Sequence, residues 1–169
     1  WSMFWDKFER ANWFLQHIID TADRDVDERT VAFLLNDPIG DGGQWNMFVN
    51  LVNKHGLVPK SAMPETESSS CTMKMNMILK WKLRDGAEQI RATGAEMEEV
   101  RKDVLSGVWR ILCIHLGTPP TKFMWQWQDK DKKFTRKGEM TPLEFAGEYI
   151  ETPLDDYVCV VNDPRDSSP

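Results

Sequence analysis

The chain has 169 residues, of which 41% are hydrophobic and 28% charged, with a formal net charge of −6. This composition is typical of a globular protein and excludes a disordered segment, while the acidic balance argues against a nucleic-acid partner. No apolar run approaches the ~20 residues that a membrane-spanning helix needs. Three cysteines without regular spacing predict a reduced, cytoplasmic protein rather than a disulfide framework.

The first 22 residues carry the pattern of an amphipathic helix. Its apolar face recurs at steps of three and four and comprises Phe4, Phe8, Ala11, Leu15, Ile18 and Ala22. The charged residues that we expect to face water are Asp6, Lys7, Glu9 and Arg10. The pattern is already present at Trp1 and no capping residue precedes it, so we expect a chain truncated inside a helix.

Two shorter helices are predicted next, on either side of a glycine-rich loop. Asp27 is expected to cap a helix that ends near Leu35, before Asn36-Asp37-Pro38. The loop Gly40–Gly43 then leads into a helix from about Gln44 to Lys54, with Gly56 in the left-handed position at its end. The face of this helix that we expect to be buried comprises Trp45, Phe48, Val49 and Val52.

The rest of the chain changes from a helical to a strand pattern. Apolar stripes over residues 71–91 and 95–116, joined at Thr93-Gly94, predict an antiparallel helical hairpin. Alternation over 123–128 and 133–137 predicts two strands, and Thr141-Pro142-Leu143-Glu144 is a capping box that predicts a helix to about Ile150. Tyr157–Val161 predicts a strand buried on both faces, and because it has few partners we expect truncation at this end as well.

The loop Asp41-Gly42-Gly43 admits two interpretations from its residues alone. It is either a tight turn that feeds a helix, or a loop whose main chain can be approached closely by a peptide because its glycines lack side chains. It lacks the Gly-Lys-Ser/Thr sequence of a phosphate-binding loop.

Several stretches together resemble one family, the aminopeptidase C and bleomycin hydrolase family of papain-like cysteine aminopeptidases. The matching stretches are Phe4–Asn12, Gly40–Glu65, Leu116-Gly117 with Pro119-Pro120, Asp129–Lys132, Thr141–Phe145 and Val161–Arg165. The resemblance implies an α+β, mainly helical chain. Residues 1–70 would belong to the helical half of a papain-like domain, 71–118 would form a helical-hairpin insertion, and 119–169 would lead to the sheet-rich half.

The same resemblance implies a site and an activity. The residues expected to bind substrate are Asp41, Gly42, Gly43, Gln44, Trp45 and Met63, with Gly42 permitting the turn and Gly43 lining the cleft. The activity implied is removal of N-terminal residues from peptides by a Cys-His-Asn triad through an acyl-enzyme, without metal or cofactor, in a homohexamer whose C-terminal tail narrows the cleft.

No triad residue can be assigned in this sequence. The family's nucleophile lies in a Gly-x-Cys-Trp-like motif, and no Cys-Trp pair occurs here. Cys71 is expected to be an ordinary surface or half-buried thiol, and Cys113 and Cys159 to be core residues. His17, His55 and His115 lack the spacing of a zinc site, and the helix dipole accounts for His55 at a helix end. We therefore predict that the chain alone is inactive.

Two other functions stay open at this point. The helical hairpin could serve a non-enzymatic interaction module. The segment Asp129–Lys137 has five basic and two acidic residues and could bind nucleic acid through Lys130, Lys132, Lys133, Arg136 and Lys137. We favour a solvated hairpin turn for this segment.

Overall fold

A computed structural model describes residues 1–160. The helices are α1 Ser2–Asp20, α2 Arg29–Asn36, α3 Trp45–His55, α4 Glu67–Ser70, α5 Met73–Thr93, α6 Met97–Leu116 and α7 Pro142–Tyr149. The strands are β1 Phe123–Gln128 and β2 Phe134–Met140, and short 3₁₀ turns lie at Gly94–Glu96 and Leu154–Asp156. No helix within these residues is long and apolar enough to cross a membrane.

The main core lies where α1 packs against the hairpin of α5 and α6. Residues with almost no exposed surface line all three helices: Phe4, Ala11, Leu15 and Ile18; Met75, Leu79, Leu83 and Ile90; Val104, Val108 and Leu112. The two hairpin helices approach closely at Gly86, where a Cβ would lie 2.7 Å from a methyl carbon of Val104. The predicted apolar faces of α1, α5 and α6, with apolar residues spaced at three and four, are therefore the faces that form this core.

Arginines of α5 complete the ends of the earlier helices. Arg84 donates to the carbonyl oxygens of Leu35 at 3.0 Å and Asn36 at 2.7 Å, at the end of α2. Arg91 donates to the carbonyl of Thr21 at 2.9 Å, just after α1. Carbonyls at a helix end have no partner within the helix, so these contacts attach α1 and α2 to the hairpin.

A smaller aromatic core holds the two-stranded sheet against α7. The strands are antiparallel, with Phe123 opposite Met140 and a bulge between Trp125 and Gln126. Rings of both strand and helix pack within 6.0 Å of one another: Trp125, Trp127, Phe145 and Tyr149. The predicted capping box is confirmed, since Thr141 Oγ1 accepts from the Glu144 N–H and the Glu144 carboxylate accepts from the Thr141 N–H.

Gly56 joins this unit to α3. Its φ is +69°, as predicted, and the Leu57 N–H donates to the Pro142 carbonyl at 3.0 Å. A Cβ on Gly56 would lie only 2.2 Å from that same carbonyl group. Glycine is therefore required here both for the backbone angle and for the close approach.

Three local predictions are wrong. Asp27 does not cap α2, because the helix begins after Glu28 and the Asp27 N–H instead bonds the Asp25 carboxylate. Residues 157–160 form no strand and are exposed, with Val160 at 93%, since no neighbouring strand is present among the described residues. Cys159 is accordingly exposed rather than core. Val161 and the matching stretch Val161–Arg165 lie outside the described residues.

Candidate functional site

The glycine-rich loop is tied to α1 by a buried lysine. Lys7, with 1% of its surface exposed, directs its ammonium to Asp41 Oδ1 at 2.6 Å and to the carbonyl oxygen of Gly40. Our prediction that Lys7 faces water is wrong. A buried ammonium is costly unless it is paired and hydrogen-bonded, and the loop provides both partners.

Helix α5 holds the same loop from the other side. Asn76 Nδ2 lies 2.9 Å from both carboxylate oxygens of Asp41, and the Thr72 hydroxyl donates to Oδ2 at 3.0 Å. The hydrogen bond from Lys7, followed by that from Asn76, lowers the pKa of Asp41 to about 2. Asp41 is therefore a carboxylate at neutral pH whose oxygens are occupied by protein donors.

A third contact holds the main chain of the two glycines. Arg10 bonds the Asp6 carboxylate through Nε at 2.8 and 2.9 Å, and its Nη2 donates to the Gly42 carbonyl. Neither Gly42 nor Gly43 has a positive φ, so the backbone angles of this loop do not themselves require glycine. A Cβ on Gly42 would meet nothing within 4 Å, and the side-chain-free loop therefore leaves its outer side open.

A pocket of about 600 Å³ lies between this loop and the first turns of α1 and α3. It brings together five of the six predicted substrate-binding residues: Asp41, Gly42, Gly43, Gln44 and Trp45. Trp45 is half-buried, with its ring 5.4 Å from that of Tyr157. Met63, the sixth, is 8% exposed and packs in the main core instead of lining this pocket.

Comparison with known proteins identifies the family. A family model described as the Peptidase C1-like family matches residues 1–169. The chain belongs to the Peptidase C1-like family. The family predicted from the sequence motifs is confirmed by relatives named bleomycin hydrolase and aminopeptidase C.

The relatives are similar across nearly all of this chain. It is 42% identical to human bleomycin hydrolase, over 96% of this chain and 38% of the relative. It is 40% identical to aminopeptidase C of Listeria innocua, over 100% of this chain and 39% of the relative. The crystal structure of PepW from Lactobacillus rhamnosis HN001 superposes with a TM-score of 0.93 at 43% identity, over 99% of this chain and 39% of that one. The chain thus spans about two fifths of the length of these proteins, and the predicted α+β fold of a papain-like peptidase segment is confirmed.

Within residues 1–160 of this peptidase-family chain, no histidine contacts a cysteine through a hydrogen bond. His17 bonds the Trp13 carbonyl at 2.9 Å, and His115 bonds the Ser68 hydroxyl at 2.8 Å. Cys71 is exposed, as predicted, and Cys113 is half-buried. A thiolate nucleophile needs a base within reach, so the described residues hold no assembled cysteine–histidine pair.

His55 has a role that the sequence did not predict. Its ring stacks on Trp5 with centroids 3.7 Å apart, and Nε2 lies 2.8 Å from the Glu9 carboxylate, which also pairs with Lys54 at 2.8 Å. Burial alone would raise the pKa of Glu9, but the hydrogen bonds from Lys54 and His55 outweigh it and lower the pKa. The cluster fastens the end of α3 to α1, and its partners are too far apart in sequence for a local pattern to reveal.

Proposed function

We propose that this chain forms one wall of the substrate cleft of a cysteine aminopeptidase, with Gly43 pairing with the main chain of a bound peptide. The observation that carries the proposal is the state of Gly43. It is exposed on the wall of the pocket, and no hydrogen bond within residues 1–160 engages its N–H or its C=O. Unpaired main-chain groups beside a side-chain-free surface are what an extended peptide needs for strand-like pairing.

The neighbouring residues define the sides of this subsite. Gln44 and Trp45 follow Gly43 along the pocket, and Phe48 and Leu51 add apolar surface from α3. Asp41 contributes through the position of the loop, because its carboxylate oxygens already accept bonds from Lys7, Thr72 and Asn76. Met63 is proposed to support the wall from beneath, since it is buried in the main core.

For the complete protein we propose hydrolysis that releases N-terminal residues from peptides, as the relatives' names support. The thiol acyl-enzyme in this proposal is what the resemblance of the sequence motifs implies. The nucleophile and its histidine would be supplied by residues other than those described here. The chain alone is then a binding wall and hydrolyses no substrate. We propose in addition that residues 71–118 form a helical insertion between two parts of the papain-like domain, residues 1–70 and 119–169.

The proposal includes a cytoplasmic homohexamer, with peptides rather than nucleic acid as ligands. The cytoplasmic location is supported by the three cysteines, which form no disulfide in the part of the chain described. Exposed apolar residues spaced by four along the outer face of α5 offer surface for subunit contacts: Met73 at 78%, Met77 at 42% and Trp81 at 60% exposure. Sedimentation velocity of the complete protein, with Trp81→Ser as the variant, tests this part.

The alternative of a non-enzymatic helical module is less well supported. That function would require the apolar stripes of the hairpin to be available to a partner. Leu79, Leu83 and Leu112 are instead fully buried in the core that α5 and α6 form with α1.

The deciding experiment measures hydrolysis of fluorogenic aminoacyl amides by the complete protein that contains these residues. We expect activity that a thiol alkylator abolishes, and a rise in KM of about tenfold, or roughly 1.4 kcal/mol, for Gly43→Val. Gly147→Val is the control for substitution of an exposed glycine: a Cβ on Gly43 would lie 3.4 Å from Arg10 Nη2, an ordinary van der Waals contact, and a Cβ on Gly147 would meet nothing within 4 Å. Alkylator-sensitive turnover by the 169-residue chain alone would contradict the assignment of this chain to binding.

A further inference from the structure

We infer that Arg10 is a positioning residue for this cleft: its guanidinium, oriented by Asp6, fixes the peptide unit between Gly42 and Gly43 so that the Gly43 N–H is presented to a bound substrate. The inference rests on the proposed function for its substrate, but its geometry comes from this chain alone. Arg10 acts through this peptide unit and not by contact with the bound substrate.

Arg10 fixes the plane of one peptide unit in the loop. Arg10 Nη2 donates to the Gly42 carbonyl oxygen, which belongs to the same planar unit as the Gly43 N–H. No peptide bond among the described residues is cis, so this N–H points opposite to the carbonyl and away from Arg10. Holding the oxygen therefore sets the direction of the one group that we propose to pair with substrate.

Asp6 holds the guanidinium of Arg10 in a fixed orientation. Both oxygens of Asp6, one helical turn earlier on α1, lie within 2.9 Å of Arg10 Nε. The Asp6 and Arg10 side chains are each 23% exposed. A planar guanidinium with separate N–H groups for the carboxylate and the carbonyl holds a fixed orientation, which an ammonium group does not.

Asp41, the residue before Gly42, is anchored by two helices. Lys7, one turn from Arg10 on the same helix, holds Asp41, and Asn76 holds it from α5. Asn76 is 9% exposed, and its Oδ1 is buried without a partner, because its amide must present Nδ2 to a carboxylate that only accepts. The Asn76 side chain is therefore oriented toward Asp41, with both carboxylate oxygens within reach of its Nδ2.

These contacts leave little rotational freedom between residues 40 and 43. The carbonyls of Gly40 and Gly42 are both held by cations of α1, and the Asp41 side chain is held between two helices. Glycines without such contacts would rotate freely about φ and ψ. The side chains of Lys7 and Arg10 thus replace the rigidity that two adjacent glycines lack.

The test compares Arg10→Gln and Arg10→Lys with the matched control Arg110→Gln in the complete protein. Arg110 is exposed on α6 and forms no ion pair within residues 1–160. We expect both Arg10 variants to raise KM for aminoacyl and peptide substrates about tenfold with kcat changed less than twofold. Without Arg10 the Gly43 N–H is no longer held toward the substrate, and the hydrogen bond that it donates serves ground state and transition state equally. Arg110→Gln should leave both constants unchanged.

Two measurements separate positioning from general destabilisation and from failure of the proposed function. A crystal structure of the Arg10→Gln protein should show the Gly42–Gly43 peptide rotated or in several orientations, with α1 unchanged; an unchanged peptide overturns the inference. A fall in kcat and a rise in KM of equal size, together with a lowered Tm, would also overturn it. If the unaltered protein hydrolyses no aminoacyl substrate, the proposed function fails, and the orientation of this peptide in the crystal decides the positioning role by itself.

Discussion

The ammonium of Lys7 lies 2.6 Å from a carboxylate oxygen of Asp41, although the two residues are 34 positions apart in the chain. Lys7 is buried, whereas 54% of the Asp41 side chain is exposed. The lysine therefore depends on the aspartate more than the aspartate depends on the lysine. This asymmetry determines how substitutions at the two positions should differ.

Asp41→Asn should destabilise the protein more than Lys7→Met. The first change leaves a buried ammonium without a counter-charge, and we expect a loss of about 2–3 kcal/mol, since water at the exposed carboxylate side reduces the cost. The second change removes the buried charge and should cost about 1 kcal/mol. Urea unfolding of both single variants and of the Lys7→Met/Asp41→Asn double variant measures this order. A double variant less stable than Asp41→Asn would contradict it.

The same pair predicts the acid response of the protein. The folded-state pKa of Asp41 is about 2, below the ordinary value of 3.8. A carboxyl group with a depressed pKa contributes stability that is present above the ordinary value and is lost as the pH falls through the folded value. We expect this contribution to disappear between about pH 4 and pH 2, and its size to be about 1–2 kcal/mol after allowance for the exposed carboxylate. Urea unfolding at several pH values should show a weaker acid dependence in Asp41→Asn than in the unaltered protein.

Local patterns predicted the parts of this fold that depend on near neighbours in sequence. The stripe of Leu79, Leu83 and Ile90 is buried as expected, and the Thr141–Glu144 box forms with both of its hydrogen bonds. Loop residues from Asp41 to Trp45 line one pocket, and their part in substrate binding stays a prediction. Each of these features depends on residues that are close together in the chain, so a short stretch of sequence is enough to predict it.

The missed features depend on contacts between distant residues. Lys7 lies on a helix face that carries charged residues, and only the position of the loop 34 residues later makes its burial possible. The stacking of His55 on Trp5 likewise joins two helices. The apolar residues Val158 and Val160 are exposed despite a strand-like pattern, because a strand needs neighbours that the pattern cannot supply.

The close contact between α5 and α6 at Gly86 predicts a loss of stability that a second substitution should partly restore. Gly86→Ala would place a Cβ 2.7 Å from Val104 and should destabilise the protein by about 1–3 kcal/mol. Val104→Ala in the same protein should recover part of this loss by making room. Gly107→Ala is the control, since its Cβ would meet only the flexible Lys82 side chain and should gain up to about 1 kcal/mol of helix propensity. Thermal unfolding of the four proteins tests the order.

The junction between α3 and the aromatic core predicts a larger effect at Gly56. A Cβ there would lie 2.2 Å from the carbonyl group of Pro142, and the residue has φ of +69°, so Gly56→Ala combines a clash with backbone strain. Gly94→Ala separates the two causes, because Gly94 has a similar φ of +65° and nothing within 4 Å of a Cβ. We expect about 1–2 kcal/mol for Gly94→Ala from strain alone, and at least twice that for Gly56→Ala. Hydrogen exchange should also show faster exchange of the Leu57 amide, which bonds Pro142, in the Gly56 variant only. Equal losses of stability in the two variants would show that α7 moves away from Gly56 without cost.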